Sequence, residues 1–245
     1  MSPRADRLHI LGLPVDPVPL EEGAAFLLEK LNAGEGGYVV TLNPEMAIAA
    51  LRRPEVAQTI EESLLSVPDG VGIVWAAKRL GLPPLPRVPG IDLGEALLSR
   101  LPPEIPVFFL GGKPGVAERA AQALKGRFPS LTVAGTYHGY FPWDEVPELA
   151  GRIASSGARL LILGMGTPRE QAFYQAAKEH LSGLLVMGLG GSLDVWAGKV
   201  PRAPRLFRHL GLEWLYRLLR QPSRLRRQTA LLHFAWRVFQ SSRAR

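Results

Sequence analysis

The chain has 245 residues, of which 47% are hydrophobic and 21% charged, with no cysteine and a formal net charge of +7. This length and hydrophobic content are typical of a globular protein with a substantial core and argue against a disordered chain. The lack of cysteine excludes disulfides and thiolate metal sites. No run has the length or apolar character of a secretory signal or a membrane-spanning helix, so neither is expected.

The positive charge is concentrated at the C-terminal end. Residues 199–245 hold 12 Lys and Arg against one acid, Glu213, a net charge of +11, whereas residues 1–198 hold 17 bases and 21 acids, a net charge of −4. Such a block indicates a local anionic partner rather than a generally basic protein. We therefore divide the chain into a body, residues 1–198, and a basic helical appendage, residues 199–245.

In the body, short apolar runs alternate with segments of helical spacing. Residues 8–14 form the first predicted strand, and residues 19–31 have the spacing of a helix. Six further strands are predicted in the runs YVVTL, LLSVP, PVFFLGG, LTVAGTYHGYF, RLLILGMG and LLVMGLGG. Seven strands alternating with helices predict an α/β fold with a Rossmann-like, doubly wound parallel sheet.

Polar residues follow two of these strands directly. Thr41 and Asn43 end the run YVVTLN before a helix that Pro44 opens, and Asn43 is either the helix cap or a ligand contact. Asp69 ends LLSVPD before a glycine-rich helix start. An Asp at this place either caps the helix, which stabilises by about 1 kcal/mol, or faces a ligand at the carboxyl edge of the sheet.

A proline-rich loop, LGLPPLPRVPG, follows the Asp69 helix and carries Arg87. The proline density favours an extended surface loop. A loop arginine is usually solvated. Here it lies close in sequence to Asp69 and suits a phosphate group that approaches the same pocket.

Glycine clusters follow several strands, at residues 70–72, 111–115, 164–166 and 188–191. Backbone N–H groups in such turns can hold phosphates, so a nucleotide is favoured. The third glycine of GxGxxG is missing and no GxxxxGK[ST] occurs, so hydride transfer and P-loop chemistry are not supported. The five histidines are scattered, with no HxxxH or DxD, and no GxSxG elbow is present. No metal site is expected.

Eight motifs occur along the chain, namely TLNPE, VPDGVG, RVPGIDL, FFLGGKPGVAERAA, GTYHGYF, LGMGTPREQ, GLGGSLDVWAGKVPRAP and GLEWLYRLLRQPSR. In this order they resemble the WecG/TagA/CpsF glycosyltransferases, a family that includes the N-acetylmannosaminyltransferase of the wall teichoic acid linkage unit. The resemblance extends from about Thr41 to Arg227.

The resemblance implies an inverting sugar transfer from a UDP-sugar donor, without a metal or another cofactor. The implied acceptor is undecaprenyl-diphosphate-linked N-acetylglucosamine at the inner face of the cell membrane, and the first choice of sugar is N-acetylmannosamine. UDP-glucose and UDP-N-acetylmannosaminuronate are the alternative donors. A homo-oligomer is compatible with this reading.

The resemblance also assigns roles to individual residues. Asp69 matches the family's catalytic base, Thr41 and Asn43 match substrate contacts, and Arg87 matches the arginine that holds the diphosphate. The expected nucleotide contacts are Tyr137, Gly164, Gly166, Gly190 and Asp194.

One motif departs from the family pattern. Family members commonly read PRQE and use the glutamine in the active site, whereas this chain reads Pro168, Arg169, Glu170, Gln171. Either Gln171 reaches the pocket from about 100° around the helix, or Glu170 takes over the substrate contact. The sequence leaves both alternatives open.

The appendage has Leu and Trp at helical intervals, interleaved with arginines. This pattern fits an interfacial helix on an anionic membrane, and it equally fits a helix that packs on the body. By resemblance, the appendage closes over the active site, with Arg217, Arg224 and Arg227 meeting the diphosphates. A basic adaptor that binds a membrane or nucleic acid is the non-enzymatic alternative, although no nucleic-acid partner is expected.

Overall fold

The computed structural model describes residues 7–204, 206–207, 211, 213–220 and 225–243, with the backbone alone at 217, 220 and 225–228. Its main sheet is parallel, with the strand order β4-β3-β8-β7-β5-β6. The strands of this sheet are β3 Gly37–Leu42, β4 Leu65–Pro68, β5 Val107–Gly111, β6 Val133–Tyr137, β7 Leu160–Gly164 and β8 Leu185–Gly188. The α/β, Rossmann-like fold predicted from the sequence is confirmed.

Helices cover both faces of this sheet. They are α1 Leu20–Asn32, α2 Pro44–Ala50, α3 Pro54–Glu61, α4 Val71–Arg79, α5 Gly90–Leu98, α6 Val116–Arg127, α7 Val146–Ser155, α8 Arg169–Ala177, α9 Ser192–Trp196, α10 Glu213–Arg220 and α11 Leu225–Arg243. Helices α1, α5, α6 and α9 pack on one face, and α2, α3, α4, α7, α8 and α11 pack on the other.

Successive side chains of the strands point to opposite faces of the sheet and form two hydrophobic cores. In β3, Tyr38, Val40 and Leu42 belong to the core beneath α2 and α8, whereas Val39 belongs to the core beneath α1 and α5. Successive side chains of a strand point to opposite faces, so a continuous apolar run fills both layers. The continuous apolar runs read from the sequence therefore form strands of the main sheet.

The prediction of the first strand was wrong. Residues 8–14 do not form a strand of the main sheet but an antiparallel hairpin of β1, Leu8–Ile10, and β2, Leu13–Val15. Leu11 and Gly12 form the turn, with φ of 52° and 83°. A two-residue turn with positive φ at both positions matches the twist of a hairpin, but Leu rarely adopts that conformation. The sequence therefore carried little signal for the turn.

Asp16 ties this hairpin to the edge of the main sheet. Its backbone N–H donates to Ser66 O at 2.7 Å, and its Oδ2 accepts from Ser66 N at 2.6 Å. Arg7 donates to both carboxylate oxygens, at 2.7 and 2.8 Å. Asp16 is fully buried, so its charge needs these partners. The contact covers backbone groups of edge strand β4 that would otherwise be open to another strand.

Arg202 anchors the start of the appendage to the body. It pairs with Asp92, and its Nη1 lies 3.9 Å from Glu95 Oε2. Burial alone would raise the pKa of Glu95, but hydrogen bonds from Arg127 and Trp196 outweigh burial and leave that pKa lowered. Ion pairs of Arg202 thus hold the start of the appendage against α5.

Helix α11 packs one face on the body and exposes the other. Phe234 and Val238 are buried in the core beside α2 and α4. Leu232, Trp236 and Phe239 are exposed. Within the described part of the chain, no helix combines the length and apolar character needed to cross a membrane.

Candidate active site

A cleft with a volume of about 610 Å³ opens at the carboxyl edge of the main sheet. One wall follows the ends of β3, β4 and β8, and the other is formed by α10 and α11. The described lining residues are Asn43, Pro44, Glu45, Asp69, Gly70, Val71, Gly72, Trp75, Arg87, Pro89, Gly90, Ile91, Leu189, Ser192, Gly211, Glu213, Trp214, Leu231, Phe234 and Ala235. Ligands of open α/β sheets bind at this edge.

Asp69 lies on the sheet side of this cleft. Its backbone N–H donates to Leu42 O at 2.7 Å, which extends the pairing of β3 and β4 by one residue. The N-cap residue of α4 is the next residue, Gly70, with φ of 88°. Asp69 thus stands between a buried strand and a helix start, partly exposed on the cleft wall.

A close contact between α2 and α4 brings two polar strand ends together. A Cβ on Gly72 would lie 2.5 Å from Pro44 Cγ, so only glycine allows the two helix starts to approach this closely. Both helices begin at the same edge, after neighbouring strands. As a result, Asn43 and Asp69 line the same cleft.

Asn43 serves as the cap of α2. Its Oδ1 accepts from Met46 N at 3.0 Å, and its Nδ2 donates to Thr41 O at 3.4 Å. The side chain also contributes to the cleft wall. The two roles considered for Asn43 are therefore compatible, because capping fixes the amide at the wall.

The proline-rich loop returns Arg87 to the cleft. Val88 N donates to Pro68 O at 2.9 Å, and the side chains of Leu85 and Val88 are buried. Arg87 Nη2 lies 3.5 Å from Glu213 Oε2 on α10. The loop arginine thus faces the same cleft as Asp69 and contacts the appendage across it.

Several cleft residues were missed in the sequence. Trp75, Trp214, Leu231 and Phe234 form much of the apolar part of the wall. Trp75 is one turn along α4 from Val71, which also lines the cleft, so helical spacing carried a signal for it. Glu213 also carried a signal, because it is the one acid in the basic appendage.

Thr41 lies behind the wall. It is 4% exposed, is not among the described lining residues, and its hydroxyl donates to Gly188 O at 3.1 Å. A Cβ on Gly90 would lie 2.8 Å from Thr41 Cγ2, so α5 covers this side chain closely. Thr41 links β3 to the end of β8 in this structure.

Glu170 is buried beneath two glycine turns. Its side chain is at the start of α8 and the residue is 1% exposed. Oε1 accepts from the N–H groups of Met165, Gly166 and Gly190 at 2.9, 2.8 and 2.9 Å. Burial raises the pKa of Glu170 to about 7, although the three N–H groups lower it. The carboxyl group is used inside the protein, not at the cleft.

Gln171 is also buried and lies away from the described cleft wall. It is 0% exposed, and its Nε2 donates to Tyr38 Oη at 3.3 Å. Burial and the nearby Glu170 raise the pKa of Tyr38 well above its usual value. Neither member of the exchanged pair is among the described residues that line the cleft.

Of the predicted nucleotide contacts, Gly190 follows β8 beside the cleft, whereas Gly164, Gly166 and Tyr137 lie along the other half of the same edge. Gly164 ends β7 and Tyr137 ends β6, at the far side of the sheet from β4. Tyr137 stacks on His138 with ring centroids 4.5 Å apart. Gly166 and Gly190 direct their N–H groups toward Glu170, so those two donors are not available to a phosphate.

Asp194 lies in α9, partly exposed and beyond the described cleft wall, and its carbonyl accepts from Lys199 N and Val200 N. Arg224 and the side chains of Arg217 and Arg227 lie outside the described residues. In the part of the chain that is described, no three His, Asp or Glu side chains form a group able to hold a metal ion.

The model of the glycosyl transferase WecG/TagA/CpsF family matches residues 8–245, nearly the whole chain. The chain belongs to this family. It is a glycosyltransferase of cell-surface polymer synthesis, which requires a sugar donor and an acceptor. In this glycosyltransferase, the fold brings Asn43, Asp69 and Arg87 into one cleft and leaves Thr41, Glu170 and Gln171 behind its wall.

Proposed function

We propose that this glycosyltransferase moves N-acetylmannosamine from UDP to an undecaprenyl-diphosphate-linked N-acetylglucosamine, with inversion and without a metal. Related transfers from UDP-glucose or UDP-N-acetylmannosaminuronate are the alternatives. The observation that carries the proposal is the cleft at the carboxyl edge of the sheet, where a carboxylate, Asp69, and a guanidinium, Arg87, face the same space. A carboxylate can accept the proton of the attacking hydroxyl, and a guanidinium can stabilise the negative charge of the leaving diphosphate.

Asp69 acts as the general base in this proposal. The acceptor hydroxyl attacks the anomeric carbon of the donor, its proton passes to Asp69, the bond from that carbon to the diphosphate oxygen breaks, and UDP leaves. Attack opposite the leaving group inverts the anomeric centre. Carboxylates are weak bases, so the positioning of acceptor and donor supplies much of the rate.

Arg87 stabilises the diphosphate in this proposal. Guanidinium groups bind phosphate oxygens in a bidentate manner and keep their charge at neutral pH. Charge develops on the leaving diphosphate as the sugar departs, and a fixed cation beside it lowers the barrier. Arg217, Arg224 and Arg227 of the appendage are proposed to join Arg87 there.

The appendage is proposed to lie on the anionic inner face of the cell membrane. The exposed Trp236 and Phe239, together with Trp75 on α4, support this, since Trp75 and Phe239 contact each other with ring centroids 5.6 Å apart. The guanidinium of Arg79 lies 4.9 Å from the centroid of the Phe239 ring. Aromatic residues beside basic ones are typical of surfaces that bind anionic bilayers.

Asp69→Asn tests the assignment of the base. The amide cannot accept the proton, so we expect turnover with a short-chain lipid-diphosphate acceptor to fall by about a hundredfold or more. Affinity for UDP should stay within about threefold, because the volume of the side chain is unchanged. Turnover is measured as UDP release across a panel of UDP-sugars, which also identifies the donor. Wild-type turnover in Asp69→Asn would remove Asp69 from the mechanism.

Glu62→Gln is the matched control for this experiment. Glu62 is an exposed acid that follows α3 and is not among the described cleft residues. The change removes one carboxylate in the same way, and turnover should remain within about twofold of the wild type. A similar loss in both variants would indicate a general effect of charge instead of a reaction step at Asp69.

A further inference from the structure

A single oxygen of Glu170 holds two separate turns together. The N–H groups of Met165 and Gly166 come from the turn after β7, and the N–H of Gly190 comes from the turn after β8. All three donate to Oε1 at 2.8–2.9 Å. We call these segments the β7 turn, residues 164–166, and the β8 turn, residues 188–191. Glu170 thus acts as a bridge between them.

Neither Gly166 nor Gly190 has a side chain whose packing could hold these two turns in place. Gly166 and Gly190 have φ of 78° and 52°, and a Cβ on either residue would meet no atom within 4 Å. Glycines lose much conformational freedom on folding, and these two have no side chain that packing could restrain. A buried acceptor with three N–H donors supplies that restraint. Oε1 is thus an acceptor that the two turns share, in addition to the backbone hydrogen bonds of Gly166 O and Leu189 N.

The β8 turn also borders the cleft. Leu189 and Ser192 are lining residues, and Gly190 lies between them in the chain. Leu189 N donates to Leu163 O at 2.9 Å, next to the start of the β7 turn. A shift of either turn would therefore move the cleft wall. Glu170 itself, at 1% exposure, has no direct access to a ligand.

The second carboxylate oxygen of Glu170, Oε2, also lies inside the protein, against the backbone of β8. A Cβ built on Gly188 would lie 2.9 Å from Glu170 Oε2 and 2.2 Å from Tyr38 Oη. The second carboxylate oxygen of Glu170 and the hydroxyl of Tyr38 therefore both lie against the backbone of β8. Gln171 donates to Tyr38 from the same helix turn. The side chain of Arg169 turns away, donating to Phe141 O at 2.9 Å.

We propose that Glu170 is a positioning residue that locks the β7 and β8 turns to each other and so shapes the donor side of the cleft. An amide oxygen can accept the same three N–H groups, so the exchange of Glu and Gln at 170 and 171 leaves this function intact. The part of the proposal that concerns the donor rests on the proposed function. The coupling of the two turns does not.

Amide hydrogen exchange tests the coupling directly in the full-length protein. In Glu170→Ala we expect the amides of Met165, Gly166 and Gly190 to exchange at least about tenfold faster, because they lose a common acceptor. In Glu170→Gln their exchange should stay within about threefold of the wild type. Gln171→Ala is the matched control, since it truncates the neighbouring buried side chain and leaves the three N–H groups their acceptor. Unchanged exchange at the three amides in Glu170→Ala would overturn the proposal.

Kinetics then separate positioning from direct participation. Glu170→Ala should raise the KM for the UDP-sugar by about tenfold or more and change kcat by less than about threefold, and Glu170→Gln should restore the KM. A kcat loss at unchanged KM, or a Glu170→Gln variant as impaired as Glu170→Ala, would contradict a positioning role. Should Glu170→Ala fail to fold, Glu170→Gln decides alone, since a large increase of its donor KM or of its amide exchange overturns the proposal.

The two proposals fail in different ways. If the wild-type protein binds no UDP-sugar, the proposed function is wrong, but the exchange of the three amides still reports on the bridge. If the wild type turns over UDP-sugars and the amides of Glu170→Ala are unchanged, the bridge is wrong and the proposed function stands.

Discussion

Two acids at strand–helix junctions have opposite environments in this glycosyltransferase. Asp69 is partly exposed on the cleft wall, whereas Glu170 is enclosed and accepts three backbone N–H groups. Burial raises the pKa of Glu170 to about 7 because it disfavours the charged form. The first acid can meet a substrate, and the second one holds the backbone around it.

Glu170 should make stability depend on pH. Its folded-state pKa of about 7 is above the unfolded value of 4.5, so the folded protein binds the extra proton between these values. The free energy of unfolding should therefore fall as pH rises through this window, by about 3 kcal/mol in all. Glu170→Gln cannot titrate and should lack this decline. Urea denaturation of both proteins between about pH 4 and 8 measures the difference, and parallel curves would contradict it.

At the scale of elements, the contact between the proline-rich loop and α10 joins the body to the appendage. Arg87 and Glu213 are 126 residues apart and meet across the cleft, with side chains 23% and 13% exposed. The acid thus sits beside the cation that we assign to the diphosphate. An incoming diphosphate would compete with Glu213 for Arg87, which connects substrate binding to the placement of α10.

Glu213→Gln should strengthen the binding of UDP or pyrophosphate by roughly two- to fivefold. Removing the carboxylate leaves more of the positive potential of Arg87 for the ligand, and partly exposed ion pairs contribute about 1 kcal/mol or less. Titration calorimetry at low salt measures the change. Glu62→Gln removes the same charge away from the described cleft wall and should leave the affinity unchanged. Weaker binding in Glu213→Gln would show that the carboxylate helps to hold the ligand.

For the whole molecule, α11 has two faces with different tasks. Phe234 and Val238 close the core against α2 and α4, while Trp236 is 54% exposed on the outer face. Of the two interpretations of the appendage made from the sequence, the contacts of α11 bear on packing alone. Packing on the body accounts for the inner face, and the membrane remains our proposal for the outer one.

Two truncations on α11 separate these tasks. Phe234→Ala should lower the free energy of unfolding by about 3 kcal/mol, because it removes a buried ring from the core between α11 and the body. Trp236→Ala should change stability by about 0.5 kcal/mol or less and weaken binding to vesicles that contain anionic phospholipid by several-fold. Denaturation and vesicle sedimentation of both variants provide the comparison. Unchanged sedimentation of Trp236→Ala would exclude the outer face as the membrane contact.

The sequence by itself determined the fold class, since apolar runs of strand length alternating with helical spacing leave few other arrangements. It also singled out Asp69 and Arg87, whose positions after a strand and within a proline-rich loop are local features. Only the tertiary structure decided what Thr41 and Gln171 touch, because their partners Gly188 and Tyr38 are distant in the chain. It also decided that the turns after β7 and β8 meet at Glu170. The apolar wall from α4 and α11 and the pairing of Arg87 with Glu213 arise in the same way. Contacts between residues more than a hundred positions apart leave no periodic trace in the sequence, so local pattern could not reveal them.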